Sequence, residues 1–316
     1  MNNLKKIGLT ALAGSLVVTS AFAGELTATG SASMGIANIT GTADDGKGKN
    51  FTMGNSVYLA GGGELDNGMT VALSFEMDQG QANNSAEGFD NHYVEIGSDA
   101  LGTLRLSGHG GSSAQGAMDT TAAGDLWNNT LGLTGGPAAA ASGDNSLFYT
   151  LPALVDGVAV TASLAPGGTA GTNASTHMSY GVSYTGVEGL TVNYGVGDSG
   201  VQGAEVDHTT MSASYALGSL TLSVSRTDID NAGATADVEW DSYQVAYTIS
   251  ENISATYGSE TVDTSTSSVD EEVTGFGVSY TTGGMTISAS QINAEGGGNS
   301  ATADTDKWSL SAAFAF

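Results

Sequence analysis

The stretch that decides the fold is the last nine residues, Trp308-Ser309-Leu310-Ser311-Ala312-Ala313-Phe314-Ala315-Phe316. Trp308, Leu310, Ala312, Phe314 and Phe316 share one parity; Ser309, Ser311, Ala313 and Ala315 take the other. Side chains alternate between faces along a β-strand, so this segment has one apolar face and one small, mostly polar face. The pattern recurs upstream. Met69, Val71, Leu73, Phe75 and Met77 stand opposite Thr70, Ala72, Ser74, Glu76 and Asp78. Further runs are Leu190/Val192/Tyr194/Val196, Leu220/Leu222/Val224, Tyr243/Val245/Tyr247/Ile249 and Phe276/Val278/Tyr280. A strand of about 9–11 residues with every second side chain in lipid is long enough to cross an outer-membrane bilayer.

A soluble sandwich also alternates, with its apolar face turned inward. Its core would want bulkier residues than these segments supply, and its outer face more charge. The connections discriminate better, because short and long ones take turns. The short ones are Leu65–Gly68, Gly97–Gly102, Ala153–Gly157, Thr185–Gly189, Ala216–Gly218, Ser250–Asn252 and Thr281–Gly284, most of them rich in the Gly, Asn and Asp of tight turns. Between them lie longer polar stretches at about 37–50, 79–91, 108–145, 166–176, 198–207, 227–238, 259–271 and 293–306. Seven turns and eight loops join sixteen strands. The expected fold is all-β: a sixteen-stranded antiparallel transmembrane β-barrel with short periplasmic turns and long external loops. An open sheet is excluded in a membrane, because its edge would leave backbone groups unpaired in hydrocarbon.

Composition agrees. The 316 residues carry 33 Asp+Glu against 7 Lys+Arg, for a net charge of −26, with 47 Gly, 3 Pro and no Cys. Nucleic-acid binding needs clustered Lys and Arg and is excluded. Without cysteine there is neither a disulfide framework nor a thiolate metal site. Residues 1–23 have the three parts of a secretory signal in order: Lys5 and Lys6, the apolar stretch Ile7–Val18, and Ala21-Phe22-Ala23 before Gly24. The competing reading of this segment is an N-terminal membrane anchor. Cleavage would remove two lysines, take the net charge from −26 to −28, and leave residues 24–316 as the barrel. All eleven tyrosines fall inside expected strands, which suits aromatic girdles at the two interfaces as well as ordinary β-propensity.

The arrangement resembles the sixteen-stranded general porins of Gram-negative bacteria, in particular the acidic, cysteine-free alphaproteobacterial type. The likeness rests on the strand count, on Gly102-Thr103-Leu104-Arg105-Leu106-Ser107-Gly108 entering the longest loop, on the return Asn145-Ser146-Leu147-Phe148-Tyr149, and on the terminal Phe316. It implies a homotrimer in the outer-membrane lipids that passes small hydrophilic solutes and ions by diffusion, with no cofactor required. It implies that Gly108–Asn145 folds into the barrel as a constriction loop, against the alternative of a long exposed loop. It also implies that Trp308, Phe314 and Phe316 form the signal read by the barrel-assembly machinery.

Parity then places charge. Arg105 lies opposite Leu104 and Leu106 and should face the lumen, where Glu76, Asp78 and Glu95 share its face and Asp119 and Asp125 sit in the loop. Charges at a narrow waist sort ions by sign, and a single arginine among these acids favours cations. The competing role for Arg105 is a structural ion pair with Glu76 or Glu95, and one pair can serve both ends. Arg226 has lipid-facing parity near a strand end and should snorkel. Lys47, Lys49 and Lys307 belong to outer loops or rims.

Two motifs are decoys on this reading. Gly197-Asp198-Ser199-Gly200 spells a serine-protease nucleophile motif but lies in an expected loop, so an enzyme is not expected. His92, His109, His177 and His208 lack metal-ligand spacing and are read as solvated. Asp228, Asp230 and Glu239 partly match a calcium loop, leaving open a loose Ca²⁺ site that would relieve repulsion among acidic loops. The second functional reading is a secreted or surface all-β binding protein, adhesin-like and calcium-stabilised.

Overall fold

The computed structural model describes residues 26–41, 48–78, 89–118, 139–167, 175–201, 204–233 and 235–316, together with 122–124, 126, 131 and 133 of the longest loop. These residues form sixteen strands: β1 (Thr27–Gly41), β2 (Gly48–Glu64), β3 (Thr70–Asp78), β4 (His92–Ser98), β5 (Gly102–His109), β6 (Ser146–Thr150), β7 (Val158–Ala165), β8 (His177–Tyr184), β9 (Leu190–Val201), β10 (Ala204–Leu217), β11 (Leu220–Asn231), β12 (Val238–Ser250), β13 (Ile253–Thr264), β14 (Glu271–Thr282), β15 (Met285–Glu295) and β16 (Thr305–Ala315). Each pairs antiparallel with its sequence neighbour, and β1 pairs with β16 to close the barrel, from Ser31↔Ala315 to Gly41↔Thr305. No described helix is long and apolar enough to cross a membrane.

The deciding stretch does what its alternation requires. On β16, Trp308, Leu310 and Phe316 are exposed on the outer wall, and β1 answers with Met34 opposite Ala312 and Ile36 opposite Leu310. Phe316 also fastens the seam. Its backbone carbonyl accepts from Gly30 N at 2.7 Å and its N–H donates to Gly30 O at 3.0 Å, while its ring fills the space a side chain on Gly30 would need. The outer wall is apolar all round, with Phe51, Met53, Leu104, Leu106, Met178, Met211, Leu222, Val224, Tyr243, Val245, Tyr247, Phe276 and Val278 exposed to the surroundings. A soluble sandwich would bury these residues; here the buried set includes Ser163, Ser179, Ser212, Ser225, Ser242 and Ser259 instead. That inversion removes the soluble reading, and the secreted adhesin with it.

All seven short turns stand where the Gly/Asn/Asp clusters put them. At Gly102 (φ 75°) and Gly218 (φ 59°) the backbone takes the left-handed form that turns need and glycine accepts without strain. Several loops are shorter than expected. The stretch 198–207 is mostly strand, since β9 runs to Val201 and β10 starts at Ala204; β11 and β12 likewise absorb half of 227–238. Past the headgroups neither face meets lipid, so polar residues occupy both parities while the ladder of backbone hydrogen bonds continues. Alternation therefore fades before the strand ends.

The same extension corrects Arg226. It lies within β11, registered against Asp241, and its guanidinium meets Asp241 at 2.5 and 2.8 Å and Glu239 at 3.1 Å on the outer wall. An ion pair holds it, not a free reach to headgroups. Of the expected rim lysines, Lys49 lies in β2 and Lys307 in β16, whereas Lys47 falls outside the described residues, as do residues 1–23.

Inward and outward positions should differ sharply in tolerance. Val278→Arg, on the outer wall of β14, should cost about 2–4 kcal/mol of folding free energy in lipid vesicles, whereas Ser279→Arg on the lumen face should cost well under half of that. Urea titration of refolded protein, followed by gel mobility, measures both; equal losses would contradict the assignment of faces.

Candidate functional site in the lumen

The lumen wall is built from the small parity of the strands, and the described residues of the connection between β5 and β6 lie inside it. The loop opens with a turn at Ser113–Met118, in which Ala117 N donates to Ser113 O at 2.9 Å and Met118 N to Gln115 O at 3.0 Å. From there it is pinned by wall hydroxyls. Ala114 N donates to Ser163 Oγ on β7 (2.9 Å), Gln115 N to Ser179 Oγ on β8 (3.2 Å), Ala122 N to Ser225 Oγ on β11 (2.8 Å) and Ala123 N to Ser242 Oγ on β12 (2.6 Å). Fully buried Gln115 ties the two limbs together: its Nε2 donates to Thr210 Oγ1 at 2.6 Å, and its Oε1 accepts from Ala140 N at 2.7 Å. A buried amide left unpaired would cost about 1–3 kcal/mol, so these hydroxyls make the docked position tenable.

Shape complements the hydrogen bonds. A side chain at Gly195 would meet Met118 and Gln115, one at Gly258 would meet Ala123 Cβ at 2.8 Å, and one at Gly275 would meet Leu126 at 2.7 Å. Further round, Leu126, Leu131 and Leu133 join inward-facing Val262, Val273, Trp240, Ile292 and Ala294 in an apolar cluster inside the barrel. These pins, slots and contacts fall on β7 through β15. Among the described residues these contacts gather on the β7–β15 side of the lumen.

The charges stand near the start of the loop. Arg105 on β5 faces the lumen and bonds Glu95, its registered partner on β4, through Nε (3.0 Å) and Nη2 (2.9 Å), with its guanidinium 4.0 Å above the Tyr93 ring. Of the two partners expected for Arg105, Glu95 is the one it has. Glu76 is nearly buried on β3, where its oxygens accept from Tyr58 Oη at 2.5 Å and Asn91 Nδ2 at 2.6 Å. It is thus a wall residue in a satisfied network, not an open charge. Tyr58 and Tyr93 line the lumen and depart from the expected interface girdles. Asp78 lies at the end of β3 on the same face as Glu76. Asp119 and Asp125 lie outside the described residues.

The histidines are not simply solvated. His177 is buried, with Nδ1 2.6 Å from Asp198 Oδ2; His208 is buried, with Nε2 2.7 Å from Ser199 Oγ. The protease-like tetrapeptide is therefore split between two histidines: its acid holds His177, and its serine meets His208. A catalytic triad needs the acid behind the histidine that serves the serine. Asp228, Asp230 and Glu239 sit on the outer wall with Asp228 registered against Glu239, and Arg226 takes one of these carboxylates. Among the described residues no group of three or more His, Asp or Glu side chains is placed to hold a metal ion. What the sequence reading missed is the docking surface itself: the hydroxyls and glycines at lumen parity, visible only as small residues.

A family model described as Gram-negative porin matches residues 8–261. No curated protein sequence matches this one. Among solved structures, the chain is similar to an anion-selective porin from Comamonas acidovorans, with a TM-score of 0.72 and 15% identity over 93% of this chain and all of that one. It is also similar to the trimer form of OmpT, an outer membrane protein of Vibrio cholerae (TM-score 0.70, 16% identity, 93% and 100% covered), and to a mutant of the Rh. blastica porin (TM-score 0.64, 15% identity, 92% and 100% covered). Likeness at this identity is likeness of fold.

Docking through hydroxyls can be read by hydrogen exchange. Replacing Ser225 and Ser242 together by Ala should speed exchange at Ala122 and Ala123 by roughly fivefold or more, since each lost bond is worth about 1 kcal/mol. Unchanged protection at these amides would refute the pinning role.

Proposed function

The chain belongs to the Gram-negative porin family, and on that premise we propose that residues 110–145 are the element that narrows an outer-membrane diffusion channel with a preference for cations. The outer membrane is the setting for which the apolar outer wall is built, and the closed barrel encloses the aqueous path. One observation carries the reading: the described residues of the loop are anchored along β7–β15 by hydroxyls, glycine slots and an apolar cluster, and on this reading water keeps the side formed by β16 and β1–β3. Solutes then pass between a fixed loop and a wall of Ser and Thr with few charges, so size sets the first limit and charge the second.

The cation preference is supported by the state of Arg105, whose charge is already answered by Glu95. A guanidinium bonded to a carboxylate offers little to a passing anion. Asp78, Asp119 and Asp125 add negative potential near the loop on this reading. The Comamonas porin named above is anion-selective, so the shared fold permits either sign and side chains must decide. A homotrimer is the expected assembly, as in the trimer form of the Vibrio protein. Trp308, Phe314 and Phe316 are proposed as the assembly signal, which fits the place of Phe316 at the closing seam.

Reversal potentials in a planar bilayer under a KCl gradient test the charge preference. Potassium should be favoured, and Arg105→Gln should deepen that preference while Glu95→Gln, freeing the guanidinium, should reduce or reverse it. A wild-type channel that favours chloride would sink the proposal.

A further inference from the structure

Beside the ion pair lies a cavity of about 330 Å³, bounded by β4, β5 and β6 and faced by Ala117 of the loop. Its wall includes Tyr93, Glu95, Arg105 and Phe148, with Ser107 and Thr150 supplying hydroxyls. This volume lies within the roughly 300–1,000 Å³ typical of small-molecule sites. The ion pair inside it is unevenly used. Both Nε and Nη2 of Arg105 go to the same oxygen, Glu95 Oε2, which leaves Nη1 of the guanidinium and Oε1 of the carboxylate unengaged among the described residues. Both side chains are open to the cavity, at 41% and 26% exposure. The Tyr93 ring fixes the plane of the guanidinium, and the bond to Glu95 fixes its rotation. One free donor and one free acceptor of opposite charge are thus presented side by side in a preorganised frame.

We infer that this side pocket is a binding subsite for small zwitterions, of which free α-amino acids are the simplest. The inference rests on the channel reading and goes beyond it, since a diffusion pore needs no such site. An α-carboxylate accepts from Arg105 Nη1, and the α-ammonium on the same carbon donates to Glu95 Oε1. The ligand's side chain then lies toward Phe148. Charge balance selects the class. A lone anion that reaches Arg105 must also face Glu95, and a lone cation at Glu95 must face Arg105. A neutral sugar can bond either group through its hydroxyls but answers neither charge, so its bonds are the weaker ones. A zwitterion answers both charges and adds none.

The test uses purified, full-length channels in a planar bilayer, with KCl current recorded before any addition. L-Serine should reduce the open-channel current saturably, with half-effect at about millimolar concentration. Glycolate, ethanolamine and glucose should show no saturation over the same range. Glu95→Gln and Arg105→Gln should each raise the half-effect concentration about tenfold, measured against that variant's own open current, because each removes a charge-assisted bond. Phe148→Ala should weaken the response to L-phenylalanine while leaving that to glycine nearly unchanged, which keeps the idea testable if a charge variant fails to insert. A normal KCl current with no saturable response to L-serine, or with an equal response to glucose, overturns this inference alone. No KCl current at all overturns the channel reading beneath it.

Discussion

Everything in this structure depends on the need of each backbone N–H and C=O to find a partner where no water can reach. In hydrocarbon an unpaired group costs several kcal/mol, so a sheet that spans a membrane has to close. The seam between β1 and β16 meets that need, and Phe316 completes it with two backbone bonds to Gly30. Once closure is imposed, the period of two along each strand acquires a fixed meaning: one parity is solvated by lipid and the other by the lumen. The apolar outer wall follows from the same demand. So does the small inner wall, since water, loop and solute must share a limited interior.

The lumen then solves a second packing problem with the residues the first one leaves. A strand whose inward positions were large would fill the barrel, and one lined with charges would hold too much water to dock a loop. Serine, threonine and glycine at lumen parity do neither. Ser163, Ser179, Ser225 and Ser242 accept loop amides, while Gly195, Gly258 and Gly275 leave room for loop side chains. Where Leu131 and Leu133 arrive, the wall changes to Val262, Val273 and Trp240, which bury apolar surface inside a barrel whose greasy face is otherwise outside. Hydrogen bonds set the position of the loop at one end, and hydrophobic contact holds it at the other.

This division explains what was legible in the sequence. Parity and turn chemistry are local, so the sixteen strands, the seven short turns and the Arg105–Glu95 pairing were within reach of a reading by eye. The outer ends of β9 and β10 were not, because above the headgroups nothing forces Asp198 or Asp207 to differ from their neighbours. The buried state of Glu76 was hidden for another reason: its partners Tyr58 and Asn91 come from other segments, and Tyr58 reads as an interface residue until register places it in the lumen. His177 and His208 were misread as solvated for the same cause, their partners being Asp198 and Ser199 on a neighbouring strand. Period-two patterns reveal faces, whereas contacts across faces require the register.

The placement of charge closes the argument. Part of the acid in this chain faces away from the lumen: Asp228, Glu239 and Asp241 stand on the outer wall of β11 and β12, where Arg226 answers part of their charge. Inside, Glu76 is neutralised as a hydrogen-bonding burden by a phenol and an amide, and Glu95 by Arg105. A net charge of −26 is therefore a poor guide to the field that a solute meets. In a narrow space bounded by protein, the screening that weakens distant charges in water is reduced, and the nearest unanswered group dominates. On the lumen wall of β4 and β5 that nearest group is set by how completely Glu95 occupies the guanidinium of Arg105.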